Sequence, residues 1–290
     1  MKRVGIDIGG TQLRCAIFDE EGNIIEKFKI PNDQSKSAEE NLDMLLNFIM
    51  KQPYQMSGIG IGCPGPLNIR LGKILNPPNL KGWNNFEIVR YVENKTGLKT
   101  ALNNDANVAG LSEAVLGSGK NYESIYYITM STGIGGAYVV NRKLVNGANS
   151  AAAEIYNMIV NEDKHTHGGV NQGAINEQCG GTGLEIIADE EFGKHISPKE
   201  LFDLYYQGDK KAMKIIENAI DAMAKAVANI CCVVDPDVFV IGGSIAIFNP
   251  SFIDKIYEKA KEYCINPQFL YFIPATFGDD AGLIGASLLV

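Results

Sequence analysis

A chain of 290 residues is longer than one compact domain usually needs, so two lobes with a cleft between them are expected. Hydrophobic residues at 46% and charged residues at 21% suit a packed core and exclude a disordered chain. A net charge of −8 would repel a phosphate backbone, which excludes nucleic acid as a partner. The apolar stretch over 231–248 is broken by Asp235, Pro236 and Asp237, too soon for a bilayer span of about 20 residues. Met1-Lys2-Arg3 leads straight into a strand without the apolar stretch of a signal peptide, so a cytoplasmic location and no membrane partner are expected. Cys15, Cys63, Cys179, Cys231, Cys232 and Cys264 form no CxxC pair and read as free thiols.

Residues 4–8 are a short apolar run ending in Gly9-Gly10, and 13–18, a turn over 19–23, and 24–30 complete an opening meander of three strands. Over 38–50, Leu42, Leu45, Leu46 and Ile49 recur at the spacing of a helix with one buried face. A strand over 57–61, a helix over 87–96, a strand over 99–103 and a helical run from 105 to 116 follow. Gly117-Ser118-Gly119-Lys120 interrupts that run and marks a domain boundary. The opening pattern then repeats: a strand over 125–130, a glycine turn over 131–136, a strand over 137–140, and a turn over 141–143 leading into Leu144 and Val145. The repetition indicates an old duplication. A helix over 210–233, a buried strand over 238–241 and a closing segment over 281–289 complete the chain, the last rich in small residues and suited to packing back on the first lobe. The expected fold is α/β with two lobes, 1–117 joined by 276–290, and 118–275.

Backbone N–H groups wrap a phosphate where no Cβ intrudes, so glycine turns are where a nucleotide site is sought. No GxxxxGK[ST] is present, which argues against a P-loop. Gly60-Ile61-Gly62-Cys63-Pro64-Gly65 matches GxGxxG, but Pro64 and Pro66 stand where the dinucleotide fingerprint needs a helix to open, so the match reads as coincidence. Asp7-Ile8-Gly9-Gly10-Thr11 and Thr129-Met130-Ser131-Thr132-Gly133-Ile134-Gly135-Gly136 each turn after a buried strand, either as plain hairpins or as a paired grip on a polyphosphate. Asp7 at its strand end is placed to hold magnesium through water. Asn104-Asp105-Ala106-Asn107 joins a strand to a helix: Asp105 is either the helix N-cap or a base for an attacking hydroxyl that Asn104 orients. Glu154 is a second candidate partner for a polyol.

Together these segments resemble the ROK family, a branch of the actin, hexokinase and heat-shock chaperone superfamily. The resemblance covers nearly the whole chain and adds Gly60 to Pro66, Pro77-Pro78-Asn79-Leu80-Lys81-Gly82-Trp83 and Val240-Ile241-Gly242-Gly243-Ser244 to the motifs above. It implies two lobes of a duplicated ribonuclease H-like, actin-like ATPase fold closing on a sugar and ATP with Mg2+, with phosphate passed to the 6-hydroxyl by Asp105. It further implies that Gly9, Gly10, Thr11, Thr132 and Gly133 line the phosphates, that Gly242 and Gly243 border adenosine, and that Gly65, Asn79, Asn104 and Glu154 approach the sugar. A homodimer is implied by the same resemblance.

The departures from the family pattern bear on metal and substrate. The family's structural zinc takes a histidine from GExGH and three cysteines from CxCGxxGCxE. Here Asn157 stands at the histidine, and His167, Gly169 and Ala174 stand at the cysteines, leaving too few ligands for a four-coordinate site. No structural zinc is expected, although His165, His167 and Cys179 are the residues from which a metal site would have to be rebuilt. Asn157 and Asn176 replace a histidine and a glutamate that touch the sugar near O1 and O2 in the family. Zinc-less members occur among kinases for N-acetylmannosamine and for β-glucosides, so N-acetylmannosamine is the expected substrate, with glucose or a β-glucoside as the alternative. A family repressor would carry a helix-turn-helix ahead of the Asp7 motif, which here begins six residues in. A non-catalytic sugar sensor is the remaining alternative of another class. Ser131 at the head of the second turn, where the family has glycine, and Gln12 after the first, where it has lysine, are what keep that alternative open.

Overall fold

A computed structural model describes residues 1–290. It divides into two compact units, one of Met1–Asn121, Ala137–Ala152 and Thr276–Val290, the other of Tyr122–Gly136 and Ala153–Ala275. The first sheet opens with β1 (Lys2–Ile8), β2 (Gln12–Phe18) and β3 (Ile24–Pro31), joined antiparallel as the meander predicts. It continues through β4 (Met56–Cys63) and β7 (Thr100–Asn104), both parallel to β1, in the order β3-β2-β1-β4-β7. A two-stranded ribbon, β5 (Leu67–Asn68) with β6 (Lys73–Ile74), lies between β4 and β7 in sequence.

Helix α1 (Ala38–Met50) begins at a capping box, the Ser37 hydroxyl accepting from Glu40 N while the Glu40 carboxylate accepts from Ser37 N. It buries Leu42, Leu45, Leu46 and Ile49, the face its spacing predicts. With α2 (Ile88–Thr96) it closes one core against the sheet, centred on Ile6, Leu13, Ile59, Ile61 and Trp83. Helices α3 (Asp105–Val115) and α10 (Ala281–Ser287) pack on one another, and α10 lies on β1 and β4. The small residues of α10 matter here. A Cβ on Gly5 would stand 2.1 Å from Leu283 O, one on Gly60 1.7 Å from Ala286 O, and one on Gly285 1.6 Å from Val108 O. Gly60 of the GxGxxG match therefore lets a helix touch the sheet backbone to backbone. Both Gly60 and Gly62 lie inside β4, which runs longer than the expected 57–61.

The second sheet repeats the plan: β8 (Ser124–Met130), β9 (Ile134–Val140), β10 (Lys143–Leu144), β11 (Val238–Gly242) and β12 (Phe272–Pro274) in the order β10-β9-β8-β11-β12, with β11 parallel to β8. The glycine turn is shorter than its expected 131–136, because Ile134, Gly135 and Gly136 already pair in β9. The following turn also tightens to Asn141-Arg142, both at positive φ, so Lys143 belongs to β10. In the second unit α4 (Ile175–Cys179), α5 (Gly181–Phe192), α6 (Pro198–Tyr206), α8 (Ser244–Phe248) and α9 (Pro250–Tyr263) accompany the long α7 (Lys210–Val233), which spans the predicted residues and is capped by Asp209. No helix is long and apolar enough to cross a membrane.

Candidate functional site

The first glycine turn has its carbonyls occupied and its donors free. Gly9 O accepts from Asn32 Nδ2 at 2.8 Å, Gly10 O from Gln34 Nε2 at 3.0 Å, and Thr11 O from Asn32 N at 2.9 Å. Gly9 N is spent on Gln12 O, whereas the N–H groups of Gly10 and Thr11 have no partner within the protein. Such a loop presents positive dipole to whatever approaches, the arrangement of a phosphate cradle. A Cβ on Gly10 would meet Asn79 O at 3.0 Å, which brings the Asn79 loop against this turn.

The second turn is built alike. Ser131 O accepts from Gly181 N at 2.8 Å, Thr132 O from Thr182 N at 3.0 Å and Gly133 O from Ser131 N at 2.9 Å, while the N–H groups of Thr132 and Gly133 are left over. Asn176 Oδ1 accepts from Ile134 N at 2.9 Å and blocks any side chain at Gly133, where a Cβ would lie 2.8 Å away. Asn176, expected at the sugar, is thus buried as a buttress of this turn. Ser131 Oγ lies 3.0 Å from Ser244 Oγ, tying the turn to Gly242-Gly243 at the end of β11. Gly243 sits at φ +90 with Met130 O only 2.3 Å from the site of a Cβ, so no other residue fits. The run Gly180-Gly181-Thr182-Gly183, which supplies two of these amides, is not among the expected site residues, although its glycine content marks it in the sequence.

Asp105 lies between these requirements of helix and chemistry. The N-cap role that its position suggested falls to Asn104, whose Oδ1 accepts from Ala106 N at 2.8 Å and Asn107 N at 3.3 Å. Asp105 is the first helical residue, with Oδ1 accepting only from Ala106 N. Its side chain is open to solvent by surface area, yet crowding protein desolvates it enough to raise its pKa. The Ala106 N–H opposes that rise and the charge of Asp7 adds to it. Asn103 holds the strand end in place, its Oδ1 accepting from Asn104 N at 2.8 Å and Asn107 Nδ2 at 2.9 Å. A Cβ on Gly65 would stand 3.7 Å from Asn104 Nδ2, so Gly65 belongs to the same neighbourhood.

Asp7 is paired. Arg14, its register partner on β2, donates from Nε at 2.9 Å and from Nη2 to the same Oδ2. Oδ1 keeps no protein partner, which leaves one oxygen for a water. That suits magnesium, which retains most of its waters and takes one or two carboxylates, arriving with a nucleotide rather than in an all-protein cage. The expected ligands of a rebuilt metal site do not come together. His165 lies between Asp163 and Glu190, His167 Nδ1 is 2.7 Å from Glu177 Oε2, and the Cys179 thiol donates to Ala219 O at 3.1 Å. Glu154 starts a short 3-10 turn and lies close enough to Tyr126 to help burial raise that phenol's pKa. Asn157 Oδ1 accepts from Asn171 N at 2.8 Å and closes the loop that carries the histidines.

A family model described as the ROK family matches residues 3–290. Among solved structures, a ROK hexokinase from Thermus thermophilus is 31% identical with a TM-score of 0.92, over 99% of this chain and 97% of that one. A ROK family glucokinase from Streptomyces griseus, solved with glucose and AMPPNP, is 26% identical with a TM-score of 0.80, over 100% and 99% of the two chains. An N-acetylmannosamine kinase of Escherichia coli is 27% identical over 99% of this chain and 98% of its own length.

Proposed function

Because the chain belongs to the ROK family, we propose that it is an ATP-dependent sugar kinase in which Asp105 takes the proton of the attacking hydroxyl. One observation carries the reading: in both glycine turns every carbonyl is tied down and two adjacent N–H groups are left without a partner. Gly10 and Thr11, and likewise Thr132 and Gly133, are the donors proposed to take phosphates of ATP. Gly242 and Gly243 would border the adenosine, where a side chain has no room. The hexokinase and glucokinase names of the relatives, and the AMPPNP and glucose bound to one of them, support the same assignment.

In the proposed reaction the 6-hydroxyl oxygen of a hexose attacks the γ-phosphorus, its proton passes to the Asp105 carboxylate, and ADP leaves. A raised pKa makes Asp105 a better proton acceptor than an ordinary carboxylate. Asn104 Oδ1 is spent on the helix, so it is the Asn104 amide nitrogen, beside Gly65, that remains to orient the sugar. Asn79, Glu154 and Asn157 are the other proposed sugar contacts. Magnesium, when bound with ATP, would supply charge neutralisation for the phosphates, with Asp7 Oδ1 holding one of its waters.

The proposed substrate is N-acetylmannosamine, supported by the amide Asn157 where the family pattern has a histidine, and by the likeness to the N-acetylmannosamine kinase from Escherichia coli. The test is ADP release with Mg-ATP across N-acetylmannosamine, N-acetylglucosamine, glucose, mannose, fructose and cellobiose, with Asp105→Asn as the blank. Fastest turnover of N-acetylmannosamine supports the substrate. Preference for glucose or cellobiose keeps the kinase and replaces the sugar, and no turnover of any of them replaces the kinase by a sugar sensor.

A further inference from the structure

A recess lies wholly within the first unit, with Asn103 of β7 among its walls. Its volume is about 450 Å³, and Arg3, Arg142 and Lys143 line it without a single carboxylate among its walls. None of the three cations makes an ion pair; Arg3 reaches only the backbone oxygen of Glu20, and Arg142 and Lys143 are exposed. In a chain of net charge −8, three unneutralised cations around one hollow are a local reversal of sign. Leu111, Leu288 and Leu289 give the hollow an apolar floor.

The hairpin that presents two of these cations turns tightly. Asn141 and Arg142 occupy its two-residue turn at φ 51 and φ 60, the second being a position that glycine fills with least strain. A long cationic side chain held in left-handed backbone is the kind of feature that function retains. At the other end of the recess Asn103 Nδ2 donates to Asn146 Oδ1 at 2.9 Å. Asn103 is also the residue whose Oδ1 holds Asn104 N and Asn107 Nδ2.

We infer that this recess is a binding site for a phosphorylated metabolite, with the phosphate on Arg3, Arg142 and Lys143 and the less polar body of the molecule on the leucines. Guanidinium forks and an ammonium are the groups that recognise phosphate, and the open apolar floor accommodates a sugar ring face or a nucleobase. An occupant that competes for Asn146 releases or tightens Asn103, so occupancy is transmitted to the strand end bearing Asp105. The binding itself does not depend on the kinase reading; only the effect on turnover does.

The experiment is calorimetric titration of inorganic phosphate, glucose 6-phosphate and AMP into the intact protein, the R142Q/K143Q variant and the D105N variant. Apart from any binding at the proposed sugar and ATP site, which R142Q/K143Q leaves unchanged, we expect a component that R142Q/K143Q weakens at least tenfold and D105N retains, with thermal melting showing that the variant stays folded. The tightest of the three ligands identifies the source of the phosphate as free anion, sugar phosphate or nucleotide. Equal affinity in the intact protein and R142Q/K143Q, or no component that separates the two variants, overturns the site. Where sugar turnover is measurable, R142Q/K143Q keeps the basal rate but loses the response to the ligand. Failure of the kinase reading would instead show as no turnover with the binding difference intact.

Discussion

Arg14 faces Asp7 in register across the first hairpin, and its Nε and one terminal nitrogen both close on Oδ2, leaving Oδ1 turned out of the pair. The pair fixes the carboxylate at the mouth of the first glycine turn without consuming it. Each side chain is largely shielded from solvent, at 23% and 13% exposure, so the pair is screened less than a surface bridge. Arg14→Gln keeps a donor but loses the two-pronged grip. We expect a loss of about 1–2 kcal/mol in stability, read by urea unfolding. We also expect a higher magnesium concentration for half-maximal turnover with sugar KM unchanged. Unaltered magnesium dependence would reduce Arg14 to a structural residue.

Asp105 ties activity and stability to pH in opposite senses. Its pKa is raised by desolvation, with Asp7 contributing, so the folded state holds the proton more tightly than the unfolded chain. A carboxylate of this kind favours folding below its ordinary pKa, and that contribution is lost as pH rises through the folded value. Above that folded value the ionised group therefore destabilises the fold. Asp105→Asn is expected to melt higher than the parent at pH 7, with the gap closing on acidification, while turnover falls about 100- to 10,000-fold and sugar still binds. The parent's rate should fall at a higher pH on the acid side than an ordinary carboxylate would give. An Asp105→Asn protein that still turns over would remove Asp105 from the chemistry.

Helices α1 and α7 and the opening meander are legible because their signals are local, the apolar spacing of α1 and the meander turns lying within a few residues of what they shape, whereas α4, α5, α6, α8 and α9 have no counterpart among the expected elements. The two glycine turns are legible as candidates for the same reason. What ties down their carbonyls is not, since Asn32, Gln34, Gly181 and Thr182 reach them from other parts of the chain. Arg14 is not legible in the sequence because its role needs the register of β1 against β2. Asp105 looked like a cap because Asn104, one residue earlier, is an equally good one, and only the helix start decides between them.

Gly60 offers a test of packing separate from chemistry. Its Cβ position lies 1.7 Å from Ala286 O, inside the body of α10. Gly60→Ala forces the helix off the sheet, and we expect destabilisation of about 1–3 kcal/mol or more, as overpacked cores show. Because the glycine touches a helix and not a ligand, the KM for ATP should change little in whatever fraction stays folded. A large rise in the ATP KM with stability intact would return the GxGxxG match to nucleotide binding.

The loop over 161–173 is held in part by carboxylates on both ring nitrogens of His165. His165 is partly desolvated, which alone would lower its pKa, but Asp163 and Glu190 on its two ring nitrogens outweigh that and raise it. A histidine whose pKa is raised on folding stabilises fully below its ordinary value near 6.5, and the contribution fades as pH rises through the folded value. His165→Gln should therefore melt below the parent at about pH 6 and approach it at alkaline pH. His165 is a third exposed, so the effect is modest. His167 adds a second fastening on Glu177, which is almost fully buried and leaves its other oxygen without a partner. Dialysis against EDTA should leave melting unchanged at every pH, and elemental analysis of the purified protein should show no stoichiometric zinc. Zinc at one equivalent, or a drop in melting temperature with EDTA, would mean that these histidines hold a metal and that the carboxylate pairs exist only in its absence.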